Sequence, residues 1–270
     1  MSSKIWAGGL AAALVLTHVS AYGQSTKQTE PPANDPPPAA VGEPKYKPDV
    51  EKVREQIFTS TNDFRKKEKR GKLKVDADLS KAAQSFAEFM ANTDKYGHTA
   101  DGKEPWDRVA DAGYDYCVVL ENIAYQYNSE GFTTDDLSKS LVEAWEKSPL
   151  HRKNMLDPDV SDIGVGVARS SKTGRFYAVQ DYGRPKSAII SFKIANKTNV
   201  DIKYVIDGKD FTVAPGVTET HESCRPPELT FQWPEGAEAA KDAKETLHPT
   251  AGSDYVVRKN ESGAFLVDHP

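Results

Sequence analysis

Residues 141–167 read LVEAWEKSPLHRKNMLDPDVSDIGVGV, and the periodicity changes part-way along. Up to Lys147 the apolar residues Leu137, Leu141, Ala144 and Trp145 recur at helical spacing, which predicts a helix over 134–147. Pro149 then permits a helix start, because a first-turn residue has no intrahelical use for its N–H. His151, Arg152, Lys153 and Asn154 crowd polar groups together before Met155 and Leu156. Beyond Asp162 the period falls to two in Ile163-Gly-Val165-Gly-Val167, the mark of a strand. A helix that reaches a strand through such a turn has one polar residue worth following, His151. It is either surface decoration, a partner for a neighbouring charge, or one wall of a site.

Working upstream, Val50, Val53, Ile57 and Phe64 lie on one stripe of a helix that Asp49 can cap and Arg70-Gly71 can stop. Leu73, Val75 and Leu79 form a short bridge. A second helix then runs from about Asp78 or Ser80 to Met90, with Ala82, Ala83, Phe86 and Phe89 on its apolar face. His98 lies in a polar Gly/Asp loop. Pro105 starts a third helix that Gly113 closes. The apolar run Cys117 to Leu120 meets Glu121, an awkward place for a lone carboxylate. Downstream, Phe176 to Tyr182 alternates and pairs with 163–167 around the turn Ser171 to Gly174.

From Ala188 on, every clear segment reads as a strand: 189–194, 202–206, 211–213, 229–233 and 255–257, with turns at Asp207-Gly208 and Pro215-Gly216. Ala237 to Leu247 interrupts them with a helix-like pattern. The reading is therefore a mixed helix and strand domain over 49–184, a boundary near Arg184-Pro185-Lys186, and a small mostly-β domain over 187–270 with the look of a β-sandwich.

The front of the chain is different. Residues 1–23 combine Lys4, an apolar run and small residues around Ala21, the pattern of a cleaved signal peptide. Its apolar run is about 12 residues, short of the roughly 20 a spanning helix needs. No later segment approaches that length, so an exported, secreted or periplasmic protein without a transmembrane segment is expected. Residues 24–48 are proline-rich and poor in large apolar residues, as in a disordered linker. A net charge of −5 argues against non-specific nucleic-acid binding. The two cysteines, Cys117 and Cys224, do not make a disulfide scaffold; two buried free thiols are the expectation, and an exported chain also permits a pair. Asn196-Lys-Thr198 and Asn260-Glu-Ser262 match the glycosylation acceptor pattern.

His98, Glu121 and His151 are the residues that invite chemistry. Two imidazoles and a carboxylate suit an open zinc site or an acid–base pair. Local spacing supports neither, since there is no His-x-x-x-His pair. A serine triad through Ser148 or Ser161 lacks the G-x-S-x-G elbow. Plainer roles stand beside these. His98 can hold the Asp101-Gly102 turn, Glu121 can cap a helical turn, His151 and Arg152 can pair with Asp157 or Asp159, and Asn154 can tie a loop.

Together, GHTADGKEPWDRVADAGY, ENIA, VEAWEKSPLHRKNMLDPDVSDIGVGV and YAVQDYG resemble the bacterial branch of the CAP superfamily, the SCP domain of cysteine-rich secretory, antigen-five and pathogenesis-related proteins. Asn62 and Arg65 fit its N-x-x-R position. The resemblance covers about residues 50–183. It implies a three-layer α-β-α sandwich and a cleft lined by His98, Glu121 and His151. It further implies that His98 and His151 are candidate ligands for zinc or another divalent metal. Ser148 stands where many eukaryotic members carry a further glutamate. Leu120 and Leu150 replace glycines, adding bulk beside the expected cleft. The function expected from the resemblance is a secreted binding or interaction module for a lipid, an envelope component or a protein partner. The alternative is a metal-assisted or serine-type peptidase in which His98, Glu121, His151 and Ser148 are the candidate catalytic residues.

Overall fold

The computed structural model describes residues 44–240, 243 and 245–269. The signal-like segment 1–23 and residues 24–43 of the proline-rich stretch lie outside the described residues. Pro44 to Pro48 are described, and they are not free of the domain. Tyr46 N–H donates to Glu130 O at 2.9 Å and Tyr46 bridges Gly131, where a Cβ would sit 2.1 Å from the Tyr46 oxygen.

The first unit holds α1 (Val50–Lys67), β1 (Lys74–Val75), α2 (Ala77–Thr93), α3 (Pro105–Ala112), β2 (Tyr116–Gln126), α4 (Thr134–Lys147), α5 (Pro149–Met155), β3 (Asp162–Arg169) and β4 (Phe176–Pro185). Its sheet has the order β1-β3-β4-β2. β3, β4 and β2 are antiparallel, and the two-residue β1 joins β3 in parallel. α2 and α3 cover one face; α1 and α4 cover the other, with α5 beside the edge strand β2. This is the α-β-α sandwich.

Helix ends follow the chemistry legible in the sequence. Asp49 accepts from Lys52 N–H at the start of α1, and Asp76 accepts from Asp78 and Leu79 N–H at the start of α2. Pro105 opens α3, and Gly113 closes it at φ 114°. Asn62 and Arg65, on the inner side of α1, serve structure. Asn62 accepts from Leu73 N–H at 2.8 Å, while Arg65 donates to the Gly71, Met155 and Asp157 carbonyls. They satisfy backbone groups between α1 and β1 and at the end of α5, where no ladder does so.

Strand β3 explains its alternating glycines. A Cβ on Gly164 would stand 2.1 Å from the Leu79 carbonyl carbon, and one on Gly166 would stand 2.2 Å from Ala83 O. α2 therefore rests directly on the β3 backbone. Ile163, Val165 and Val167 are buried from the other face.

Contact density divides the chain between Ala188 and Ile189. The second unit contains β5 (Ile190–Asn196), β6 (Ile202–Ile206), β7 (Lys209–Val213), β8 (Thr218–Ser223), β9 (Leu229–Gln232), β10 (Asp254–Lys259) and β11 (Phe265–Asp268). They form two sheets, β11-β10-β5-β8 and β7-β6-β9. Phe192, Ile194, Tyr204, Phe231, Tyr255 and Phe265 from both sheets share one apolar core, so the unit is a β-sandwich. The helix expected at 237–247 is not formed over 237–240. There the chain is extended, Ala239 bridges Phe265, and Leu247 bridges Leu229. Residues 241, 242 and 244 lie outside the described residues.

Two further expectations are corrected. Neither cysteine is a free thiol: Cys117 and Cys224 are both disulfide-bonded. Asn196 is not an available glycan acceptor in the fold. It is fully buried, its amide donates to Val200 O and Val213 O, and its oxygen accepts from Thr198.

Candidate functional site

The pleat of β2 places Val119, Glu121 and Ile123 on the α2/α3 face and Asn122 on the other. Glu121 is thus a strand residue, not a helix cap. Its side chain is 1% exposed. Such a carboxylate needs partners, and it has two. His98 Nδ1 lies 2.6 Å from Oε1, and Arg108 Nη2 donates to Oε2 at 2.6 Å. Since the carboxylate accepts, His98 Nδ1 carries the hydrogen.

Arg108 projects from α3 and organises the loop before it. It donates to Asp101 Oδ1, Lys103 O and His98 O, each at 2.9 Å. Its guanidinium carbon lies 3.6 Å from the centre of the Phe86 ring. The guanidinium therefore fixes both the backbone of His98 and the carboxylate that His98 meets. Arg108 thereby holds the Asp101 turn.

His151 arrives from α5. Asn122 Nδ2 donates to its carbonyl at 3.2 Å, and Asn154 Nδ2 donates to Glu121 O and Asn122 Oδ1, each at 3.0 Å. These bonds tie α5 to the outer backbone edge of β2, where among the described residues no further strand pairs. Burial pushes the His151 imidazole down to about 4, with His98 adding in the same direction, so the ring is neutral at pH 7. Its Nε2 is buried and makes no hydrogen bond among the described residues.

The other expectations resolve separately. Ser148 is the residue between α4 and α5 and makes no side-chain cap bond. Among the described residues no hydrogen bond links it to His151. Arg152 pairs with Glu68 at 3.1 Å and lies over Phe64, not with Asp157 or Asp159. Trp145 is core, donating from Nε1 to Ile123 O. Glu143 faces Lys139 and Lys147 on the surface of α4. Leu120 alternates with Glu121 and so points to the opposite face, and Leu150 is 41% exposed.

Two site residues escape a reading of isolated polar residues. Arg108 lies within the loop and helix motif, where Glu104 and Asp111 at helical spacing suggest a surface pair and give no sign of its partner on β2. Asp181 lies directly across from Glu121 on β4, with Gly164 on its other side. It is 1% exposed, and its two oxygens accept no hydrogen bond among the described residues. Burial pushes its carboxyl well above the ordinary range; the Glu121 charge adds to this, and the Arg108 guanidinium opposes it. The alternation Tyr177, Val179, Asp181 was the available signal, since it places the acid on an apolar inner face.

Residues 58–182 match the model of the cysteine-rich secretory protein family, CAP. This segment is a CAP domain. The CAP domain is 31% identical over 122 residues to the Bacillus subtilis (strain 168) protein YkwD, a match covering 45% of this chain and 44% of that one. It is also 31% identical over 140 residues to the membrane protein YlbC of the same organism, covering 52% and 38%. The matched region thus spans less than half the length of either relative. Among solved structures, an outer surface protein from Borrelia burgdorferi superposes with a TM-score of 0.45 at 21% identity, covering 51% of this chain and 96% of that one.

Zinc takes four ligands in closed sites and three protein ligands in catalytic ones. Among the described residues, no group of three or more His, Cys, Asp or Glu side chains is arranged to hold a metal ion. Both Glu121 oxygens are engaged by Arg108 and His98. The donor set here does not fit a zinc centre, and no step below runs through one.

Among the described residues, no helix is long and apolar enough to cross a membrane.

Proposed function

We propose that the protein is an exported, non-enzymatic binding module whose His98/Glu121/His151 site receives an uncharged, hydroxyl-bearing group of an envelope ligand. The observation that carries this reading is the burial of Glu121, whose side chain is 1% exposed between two donors. A general base must stand at hydrogen-bonding distance from the proton it removes, and a carboxylate closed off from solvent does not meet the proton of a water or substrate there. Here one oxygen is held by an arginine and the other by a histidine. The carboxylate supports the frame of the site and takes no proton from water.

Charge favours the same conclusion. Arg108 is shared between Glu121 and Asp101, and His151 is neutral, so neither leaves a surplus positive charge to attract an anionic substrate. A hydroxyl both donates and accepts, and therefore meets a neutral imidazole in either tautomer. Export rests on the signal-like pattern of residues 1–23. Among the described residues the peptidase reading lacks a nucleophile bonded to His151.

The test has two arms. A thermal-shift screen pairs neutral polyols and glycosides with their phosphorylated counterparts. Stabilisation by the neutral member, lost in His98→Ala, is expected; stabilisation by the phosphorylated members alone would sink the reading. Full-length protein is also incubated with a broad peptide library with and without zinc. No turnover is expected. Cleavage that vanishes in folded His98→Ala and His151→Ala variants would establish the peptidase instead.

A further inference from the structure

Asp181 is the buried titratable group that this function leaves unused. It is not an isolated oddity. β2 and β4 are in register at Glu121 and Asp181, so the two carboxyls stand side by side on the same face of the sheet. The polar groups of the elements packed around Asp181 are committed elsewhere apart from Arg108 Nε, which, like both Asp181 oxygens, is buried and makes no hydrogen bond among the described residues. β2 supplies Glu121, and α3 supplies Arg108, whose two terminal nitrogens are spent on Glu121, Asp101 and two carbonyls. The loop before α3 supplies His98 and Asp101, each already engaged. On the other flank β3 offers only Gly164, against which the α2 backbone at Leu79 and Ser80 is packed. Two residues along β4, the matching position is Gly183, filled by the Tyr114 ring, whose hydroxyl donates to Asp162.

An ionised carboxylate in that position would face a second carboxylate with no donor of its own. The desolvation of such a charge costs several kcal/mol. A protonated carboxyl has no such difficulty, because its O–H has an acceptor beside it in Glu121. Each Glu121 oxygen has two lone pairs and spends one on His98 or on Arg108.

We infer that Asp181 is held as the neutral carboxylic acid and donates its proton in a hydrogen bond to Glu121, making it a positioning residue for the His98–Glu121 pair. Glu121 then accepts from three donors on three different elements: the loop histidine, the α3 arginine and the β4 acid. A carboxylate held from three directions cannot rotate, and the imidazole bonded to it keeps its orientation and its Nδ1 hydrogen. Asp181 touches no ligand and acts through Glu121. The inference does not depend on what the site binds, and its test uses no ligand.

The test is spectroscopic and uses the full chain. At neutral pH the infrared spectrum of the native protein should contain the carbonyl stretch of one protonated carboxyl. That band should shift with 13C-aspartate labelling and on transfer to D2O, and disappear in Asp181→Asn. The asparagine variant keeps a neutral donor toward Glu121, so the His98 Nδ1 proton resonance should match the native protein, and because it binds no proton on folding its melting temperature at neutral pH should not fall below the native value. Asp181→Ala has no donor, and should move that resonance upfield and melt below Asp181→Asn. If Asp181→Ala fails to fold, the labelled native protein decides alone. Absence of the protonated band at neutral pH overturns the inference. So does an Asp181→Asn variant whose His98 resonance moves as far as that of Asp181→Ala.

Discussion

The two faces of the four-stranded sheet bury polar groups in opposite ways, although the residues concerned are neighbours in sequence. Glu121 and Asp181 point toward α2 and α3, with Arg108 and His98. Asn122 and Gln180 point the other way. There Gln180 donates to Thr61 Oγ1 at 2.9 Å and accepts from Tyr182 OH at 2.7 Å and Asn122 Nδ2 at 3.1 Å. One face pairs ions with one another, while the network on the other is of amides and hydroxyls, and the buried Arg65 of α1 bonds only backbone carbonyls. The difference teaches what each is for. A neutral network satisfies itself and mainly fixes geometry, here that of Asn122 and through it His151. An ionic one is costly unless every charge is matched, so the deletion of a single member exposes the rest.

The largest effect should come from breaking the ionic face. Arg108→Met leaves Glu121 buried without its cation and should cost about 3–5 kcal/mol in urea unfolding at pH 7. The loss should shrink at acid pH, as for any buried ion pair stripped of its cation. An effect that stays constant with pH would show that packing against Phe86, not charge, is what Arg108 contributes.

The neutral face should yield less. Gln180→Leu strands the partners Thr61, Tyr182 and Asn122, and should cost about 2–3 kcal/mol with little dependence on pH. A pH-dependent cost would blur the contrast between the faces.

The smallest effect is a matter of sign. His151 is depressed to about 4 in the fold. Between the ordinary imidazole value of 6.5 and that point the unfolded chain binds a proton that the native chain does not, so stability falls as pH falls. Discounted for partial solvent access, this amounts to about 1–2 kcal/mol. Asp181 is raised, so the native chain keeps a proton that the unfolded chain releases above 3.8, and stability rises as pH falls toward that value. The two oppose each other. Compared with the native protein between pH 6.5 and 4.5, Asp181→Asn should lose stability more steeply on acidification, and His151→Gln should gain. Parallel unfolding curves for all three would refute the opposition.

Much of this architecture was legible beforehand, for reasons that differ by element. α1 and α3 announced themselves through caps, a first-turn proline and a C-terminal glycine. β3 was visible in its alternation, although the need for glycine there became clear only with the Leu79 and Ala83 backbone lying against it. β2 was half read, because Glu121-Asn122 interrupts the apolar run that marks it. β8, with the sequence TETHES, was missed: it is an edge strand with no apolar face, so alternation carries no signal. At the site, His98, Glu121 and His151 stand out as polar residues beside turns, glycines and an apolar run, and their convergence comes from the family resemblance. The direct His98–Glu121 contact is in the structure, and His151 joins it through Asn122 and Asn154. Arg108 and Asp181 were not singled out, because their partners lie on other elements and become neighbours only through strand register.

That register has a consequence for folding fidelity. If β2 zipped onto β4 one residue out of step, Glu121 would meet Gln180 or Tyr182, and Asn122 would meet Asp181 or Val179. The acid would lose its acceptor and the amide its hub, while every apolar residue between them changed sides. A mispaired sheet would thus be penalised twice, once by its oily residues and once by its ions. The β2–β4 pair proofreads its own alignment with two adjacent residues on each strand.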